Sequence, residues 1–79
     1  MKIKHLPKKE TLYADTVNYI VIKKYSDGWY FFGTYLTYMQ ARIAAINNGG
    51  KVVSAKTVYS ENFHILDENN LDQFLFNND

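Results

Sequence analysis

Two histidines and eight acidic residues are the side chains of this 79-residue chain that could do acid–base or metal chemistry. His64 lies between Glu61 and Asp67, and an imidazole with two carboxylates is a donor set that can bind zinc. Strand or loop spacing does not force these three side chains to converge, and His64 has neither a nucleophile nor an orienting partner in a recognisable motif. We therefore predict no metal site and no catalytic role for His64.

The other motifs with catalytic composition indicate structure instead. Asp67 and Glu68 are adjacent carboxylates, but they fit the start of a helix, where acidic side chains are favoured. The run NNGGK at 47–51 has the composition of a phosphate loop, yet it ends a predicted helix, so its amides do not converge on an anion. The chain has no Cys, no Gly-rich phosphate loop and no GxSxG motif. We predict that the protein is not an enzyme and uses no cofactor.

Aromatic side chains are concentrated in residues 25–40, YSDGWYFFGTYLTYMQ, where seven of sixteen residues are aromatic and one is charged. Because side chains alternate along a strand, one face would carry Trp29, Phe31 and Tyr35, and the other Tyr30 and Phe32. One of these two sets of aromatic side chains must enter the core. The other is either covered by C-terminal residues or exposed, and an exposed aromatic patch usually marks a partner site.

The predicted binding surface combines these rings with nearby cations: Trp29, Tyr30, Phe32, Tyr35, Lys23, Lys24 and Arg42. Protein binding needs only an aromatic patch with a polar rim. The alternative is nucleic-acid binding, in which bases stack on the rings and Lys side chains contact phosphate. Arg occurs once and the net charge is only +1, which falls short of a typical nucleic-acid-binding domain. We favour a protein partner, with nucleic acid as the alternative and homo-oligomerisation left open.

Two strands must position these residues. The run 16–25, TVNYIVIKKY, is β-branched or aromatic and has apolar side chains on both faces, which predicts a central strand. Asp27-Gly28 then predicts a hairpin turn into a second strand at 29–35. A two-residue Asp27-Gly28 turn would place Trp29 opposite Ser26, and a three-residue turn with Gly28 in the left-handed conformation would place it opposite Tyr25. The sequence leaves both registers open.

A helix over 38–48 follows, with Thr37 and Gln40 forming a capping box and Gly49 ending it in the left-handed conformation. We expect this helix to turn one apolar stripe toward the core. By helical spacing, the stripe comprises Leu36, Met39, Ile43 and Ile46, widened by Tyr38, Ala41 and Ala45.

The remaining segments complete a single α+β domain spanning 1–79. We predict a third strand at 51–59 and a short C-terminal helix at 68–76, capped by Asp67 and buried through Leu71, Phe74 and Leu75. Residues 1–15 are poorly defined, although KIKHL could form an edge strand that ends at Pro7. The expected fold is a small, mainly antiparallel sheet of three or four strands in ββαβα order. The central strand is 16–25, one main helix packs on one face, and the short C-terminal helix, a second subunit or nothing covers the other.

The charge distribution and the codon bias indicate what kind of partner and what kind of genome to expect. Residues 1–60 carry a net charge of +6 and residues 61–79 a net charge of −5, so the acidic end either packs near the basic body or leaves a basic surface for an anionic partner. Residue types with AT-rich codons number 36, against 11 with GC-rich codons, which indicates a low-GC bacterium, a phage or a mobile element. With no signal peptide or membrane span, we expect a cytoplasmic accessory protein that binds and modulates a host protein.

One run also resembles known families in layout. YFFGTYLTYMQARIAAINNGGKVV, residues 30–53, resembles half of the sporulation-related repeat domain, in which a strand, an Ala-rich helix and a Gly lead into a second strand. That family binds glycan strands of peptidoglycan. Its second strand–helix unit is missing here, and we carry over no residue. The strand–strand–helix part is similar in layout to integrase-type and plant AP2-type DNA-binding domains, but it has Tyr and Phe in place of their Arg ladder.

Overall fold

A computed structural model describes residues 1–9, 18–65 and 67–76, and these form one small α+β unit. A single mixed sheet has the spatial order β1-β3-β2-β4-β5, with one main helix, α1, on one face. A short helix, α2, and two 3₁₀ helices at Phe63–Ile65 and Glu68–Gln73 follow. The elements are β1 (Ile3–Lys4), β2 (Tyr19–Tyr25), β3 (Gly28–Tyr35), α1 (Tyr38–Asn48), β4 (Lys51–Ser54), α2 (Ala55–Val58) and β5 (Leu75–Phe76).

The predicted central strand is confirmed. β2 pairs antiparallel with β3 on one side and with β4 on the other. Ile20 and Ile22 point into a core on one face of the sheet, while Val21 points into a core on the face that α1 covers. All three side chains are fully buried, as apolar residues on both faces of a strand require. The predicted strand residues 16 and 17, like 10–15, lie outside the described residues.

The strand count and order differ from the prediction of three or four strands in ββαβα order. Among the described residues the sheet has five strands, because two-residue strands lie at both edges: β1 lies parallel to β3, and β5 lies antiparallel to β4. KIKHL does contribute the edge strand expected of it. Two-residue strands leave no detectable alternation in a sequence, and their pairing depends on distant partners.

Two predicted C-terminal elements were wrong in extent. The strand predicted over 51–59 ends at Ser54, and α2 begins at Ala55. The last described pair between β2 and β4 is Tyr19 with Ser54, so the pairing of these two strands ends there. The helix predicted over 68–76 is a 3₁₀ helix over Glu68–Gln73 followed by β5. Its cap is as predicted, since the Asp67 carboxylate accepts a hydrogen bond from the Asn69 amide at 3.0 Å.

The hairpin adopts neither of the two registers considered from the sequence. Tyr25 pairs with Gly28 and Lys24 pairs with Trp29, which leaves Ser26 and Asp27 as a two-residue turn. Gly28 has φ of 131°, a value that a residue with a Cβ rarely adopts. The strand that follows then contains a β-bulge. Val21 pairs with Gly33 while Ile22 pairs with Phe31, so Phe32 is an extra residue.

The bulge overturns the predicted division of the aromatic side chains into two alternating sets. An extra residue shifts the alternation by one position. Odd-numbered residues before Phe32 therefore face one side of the sheet, and odd-numbered residues after it face the other. Trp29 and Phe31 pack into the core opposite α1, whereas Tyr35 packs with α1. The predicted common face of Trp29, Phe31 and Tyr35 therefore does not exist.

The ends of α1 are as predicted, but its rotation about its axis is not. The Thr37 hydroxyl accepts a hydrogen bond from the Gln40 amide at 3.2 Å, and Gly49 has the left-handed φ of 70°. Of the residues predicted to face the core, Ala41 and Ala45 are buried against the sheet and Tyr38 packs beside them, whereas Leu36, Met39, Ile43 and Ile46 are exposed. Small side chains let the helix approach Val21 and Val52 closely, which the larger residues of the predicted stripe would prevent. Within the described residues, no helix is long and apolar enough to cross a membrane.

The face opposite α1 is covered by the chain itself. Its buried residues come from β1, β2, β4, α2 and the 3₁₀ helices: Ile3, Ile20, Ile22, Val53, Ala55, Val58, Phe63 and Leu71. Of the three residues predicted to be buried there by the C-terminal helix, Leu71 is buried and Leu75 is partly buried, but Phe74 is exposed. The Met1 ammonium group donates hydrogen bonds to the carbonyls of Phe63 and His64 and closes this layer.

Gly50 should be the most sensitive position in the connection from α1 to β4. A Cβ at this position would lie 2.8 Å from Val21 Cγ1 and 2.9 Å from the Ile22 carbonyl oxygen. We predict that Gly50→Ala lowers the free energy of unfolding by about 1–3 kcal/mol, because the backbone must move away from β2. Urea denaturation at pH 7 measures this. Gly49→Asn is the matched control, since a Cβ there would meet no atom within 4 Å beyond its chain neighbours and its own helix, and Asn tolerates the left-handed region. Equal stability of Gly50→Ala and wild type would contradict the close approach.

Candidate functional site

An exposed apolar stripe runs along the outer side of α1. The four residues predicted to face the core instead face outward, and their side chains keep more than half of their surface exposed: Leu36 56%, Met39 57%, Ile43 52% and Ile46 52%. We call these residues the α1 stripe. Met39, Ile43 and Ile46 are four and three residues apart, which places them on one side of α1, and Leu36 lies just before the Thr37 cap. Arg42 is the only charged residue of α1.

A shallow depression borders the α1 stripe on the side of β3. Leu36 and Ile43 of the stripe form part of its wall, and the other lining residues are Thr34, Tyr35, Gln40 and Ala44. The Tyr35 ring lies over Gly33, where a Cβ would come within 3.0 Å of the Tyr35 hydroxyl oxygen. The close approach to the backbone at Gly33 is therefore made by this ring. The depression continues the apolar surface of the stripe from α1 onto the sheet.

A second cluster lies at the hairpin end of the sheet. Asp27 at its centre accepts hydrogen bonds from the Tyr30 hydroxyl at 2.5 Å and from the Lys4 ammonium at 3.0 Å. The His5 ring stacks on Tyr30 at 5.6 Å, and the Tyr25 ring meets Tyr30 edge-on at 5.0 Å. We call this group, with Lys23 and Phe32 beside it, the hairpin cluster. It joins β1 to the β2–β3 turn and leaves Tyr25 and Phe32 exposed.

The predicted site residues do not form one surface. Lys24 lies over the Trp29 ring at 5.8 Å, and Trp29 packs into the core opposite α1. Tyr35 packs with α1, while Arg42 lies on the helix itself. Only Tyr30, Phe32 and Lys23 come together, in the hairpin cluster. The bulge at Phe32 explains this separation, because it redirects the residues on either side of it.

The α1 stripe was the surface that sequence reasoning missed, although its signal was visible. The spacing of the four apolar residues was recognised, but it was interpreted as the buried side of the helix. The contrary signal was the set of small residues, Ala41, Ala44 and Ala45, which lie about half a turn away around the helix. Small residues at helical spacing indicate a helix side that packs closely on a sheet.

The residues first considered for metal binding do not assemble. In the ranges 1–9, 18–65 and 67–76, no three His, Asp or Glu side chains come together as a metal site. The backbone carbonyl of His64 accepts a hydrogen bond from Met1, which gives this residue a structural contact.

The chain was compared with protein-family models, curated proteins and solved structures, and none of the three comparisons gave a match. Its function must therefore be argued from its own geometry.

The hairpin cluster should make the stability of the protein depend on pH. The Tyr30 hydroxyl, and then the Lys4 ammonium, hold the pKa of the Asp27 carboxyl below its ordinary value. A lowered pKa in the folded state stabilises the fold above the ordinary Asp pKa, and this contribution is lost as pH falls through the folded value. We predict that Asp27→Asn is less stable than wild type at pH 7, and that the difference shrinks below about pH 4.

Urea denaturation midpoints of the two proteins between pH 7 and pH 2 measure this difference. Asp72→Asn is the matched control, because it removes an exposed carboxylate outside the hairpin cluster. A stability difference between wild type and Asp27→Asn that stayed constant down to pH 2 would show that the Asp27 carboxylate has no part in the effect.

Proposed function

We propose that this domain is a non-enzymatic protein-binding module that contacts its partner through the α1 stripe. The observation that carries the proposal is the exposure of four large apolar side chains, three on one side of α1 and Leu36 just before it. Contiguous exposed apolar surface on a small domain usually marks an interaction site. The role that fits best is an accessory protein that binds and modulates another protein, and the AT-rich codon bias supports an origin in a low-GC bacterium, a phage or a mobile element.

The size of the α1 stripe limits the affinity that it can supply. Full burial of one large aliphatic side chain contributes about 1.5–3 kcal/mol, so a half-exposed one offers a partner about 1 kcal/mol. Four such residues offer about 4 kcal/mol, which corresponds to a millimolar complex. A biologically useful partner must therefore contact more than the stripe, and the depression beside β3 is the adjoining surface.

Replacing Ile43 should separate binding from folding. Ile43 is half exposed at the middle of the stripe, and Glu is a good helix former, so Ile43→Glu should fold normally. We predict that proteins captured by the wild-type domain from a low-GC bacterial lysate include at least one that Ile43→Glu retains at least fivefold less. A charge there would have to be desolvated against the apolar surface of a partner. Quantitative mass spectrometry of the captured proteins measures the ratio.

Gln73→Glu is the matched control for this capture experiment. It introduces the same charge at an exposed polar position outside α1, in the 3₁₀ helix Glu68–Gln73. It should retain the partner that Ile43→Glu loses. If the two variants and the wild type capture the same proteins in equal amounts, the α1 stripe is not the binding surface.

Nucleic-acid binding is the second candidate, and the hairpin cluster is the observation that favours it. Tyr25 and Phe32 are exposed rings with Lys23 beside them, a combination that can stack bases and contact phosphate. Against it, Tyr30 is already engaged by His5, Tyr25 and Asp27, which leaves two rings for stacking.

Titration with single-stranded oligonucleotides at two salt concentrations tests this candidate. We predict dissociation constants weaker than millimolar at low salt, because the hairpin cluster offers few cations and few exposed rings. Tight binding that weakens steeply with salt and is lost in Tyr25→Ala would instead assign the hairpin cluster to nucleic acid. Phe74→Ala, which removes an exposed ring outside the cluster, is the control.

A further inference from the structure

We propose that the partner presents an extended segment, which adds to the outer edge of β3 as a further strand and places uncharged, apolar side chains in the depression beside α1. This inference rests on the proposed function, since Leu36 and Ile43 of the α1 stripe line that depression. Three features of the described residues carry it: the short reach of β1, the path of the chain away from the edge, and the lining of the depression.

The outer edge of β3 is covered over only part of its length. β3 has eight residues, and β1 pairs with it at Trp29 and Tyr30. Among the described residues, β2 is the only strand that pairs with 31–35, and it does so on the inner edge. We call residues 31–35 the open edge. Along these residues, about 17 Å of strand, alternate backbone N–H and C=O groups point outward, where another strand can bond to them.

The chain leaves this edge immediately after β1. His5 has φ of 64°, in the left-handed region, so it cannot continue the extended backbone of Ile3–Lys4. Leu6 then packs against the core opposite α1, and the Pro7 carbonyl accepts a hydrogen bond from the Tyr59 hydroxyl at 2.8 Å. The turn at His5 therefore directs the chain under the sheet and ends the pairing of β1 with β3 before the open edge begins.

The chain on both sides of residues 10–17 is held at α2. Before this segment, Pro7 contacts Tyr59, which ends α2. After it, the Asn18 carbonyl accepts a hydrogen bond from the amide of Ala55, the first residue of α2, at 3.0 Å. α2 follows β4, and β2 separates β4 from β3 in the sheet. These two anchors do not direct the chain along the open edge, and we therefore assign that edge to a partner segment.

The depression determines which side chains such a segment carries. None of its lining residues is charged, and Leu36 and Ile43 in its wall keep more than half of their surface exposed. Tyr35 packs with α1 on the same face, so a strand added beside β3 directs every second side chain toward the depression. A charged side chain there would lose its water without gaining a counter-charge. We therefore expect apolar residues at alternate positions of the segment, as in other cases of strand addition.

A second copy of this chain fits the open edge less well than a peptide does. Two copies paired edge to edge would each bring a β1 that lies beside Trp29 and Tyr30, directly next to the stretch to be paired. Each would also bring an α1 that begins at Tyr38, soon after β3 ends at Tyr35. Pairing between copies would therefore be confined to residues 31–35, with folded elements at both ends. A peptide has no such attachments.

Hydrogen exchange of the free domain, followed by nuclear magnetic resonance, tests whether the edge is open. We expect the amides of 31–35 that bond to β2 to exchange slowly and the outward amides to exchange at least about tenfold faster. If all these amides are protected in the monomer, the chain itself covers the edge and the inference is overturned. Protection that appears only in a dimer seen by sedimentation assigns the edge to a second copy, which overturns it as well.

Selection from a library of displayed random peptides, each about ten residues long, tests the chemistry of the segment. Peptides are selected on the wild-type domain and then compared on Ile43→Glu, with Gln73→Glu as the matched control. We expect the enriched peptides to carry apolar residues at alternate positions, to bind Ile43→Glu at least about tenfold more weakly than wild type, and to bind Gln73→Glu as wild type. A selected peptide should also slow the exchange of the outward amides of the open edge.

Methylation of single backbone nitrogens in a selected peptide makes the test specific to strand addition and leaves the domain unaltered. Only one edge of the added strand faces β3, so alternate N–H groups bond to it and the others face water. We expect methylation to weaken binding about tenfold at every second position and little in between, because each lost N–H leaves a β3 carbonyl without its partner. A helical peptide would instead lose affinity at successive interior positions, where each N–H bonds within the helix.

The remaining outcomes separate this inference from the proposed function. Peptides that depend on Ile43 but lack the alternating methylation pattern, or that carry charged residues at the positions expected to be apolar, overturn strand addition and leave the α1 stripe as the binding surface. Peptides that bind wild type and Ile43→Glu equally overturn the proposed function and, with it, the inference that rests on it. A domain that enriches no peptide overturns the inference and leaves the proposed function to the capture experiment.

Discussion

The fold depends on the burial of both sides of β2. Ile20 and Ile22 are fully buried on one side of this strand and Val21 is fully buried on the other, so a single strand forms the wall between two cores. Every other layer of the described structure packs on one of these two sides. Antiparallel pairing to β3 and β4 satisfies the backbone of β2 on both edges, which such burial requires.

The two cores differ in depth, and this difference places the candidate binding surface. The core opposite α1 contains Phe63, Leu71 and Val58 and is built from several short elements. The core beneath α1 is shallow and contains Val21, Val52 and two alanines. A helix that packs closely through alanines must direct its larger side chains elsewhere. The α1 stripe is thus a consequence of the way the helix is held against the sheet, and it leaves apolar surface available to a partner.

The bulge at Phe32 separates the aromatic side chains in a similar way. Without it, Trp29, Phe31 and Tyr35 would share one side of β3; with it, two of these rings complete the deep core and the third packs with α1. The residues on the hairpin side of the bulge join β1 through Lys4, Asp27 and Tyr30. The aromatic content of this strand is therefore used largely for structure, which is why the aliphatic helix surface is the better candidate for binding.

Local hydrogen bonds and backbone geometry made several features predictable from the sequence alone. The cap at Thr37, the left-handed end at Gly49, the Asp67 cap and the doubly apolar β2 all depend on residues close together in the chain, and the structure contains all four. The rotation of α1, the bulge at Phe32, the two-residue edge strands and the hairpin register were decided only by tertiary structure. Each of these features depends on the fit between segments distant in sequence. The helix α1, for example, has two sides that could face the sheet, one with large apolar side chains and one with small side chains. The sequence determined that both sides exist, but the space available above Val21 and Val52 selected the small one.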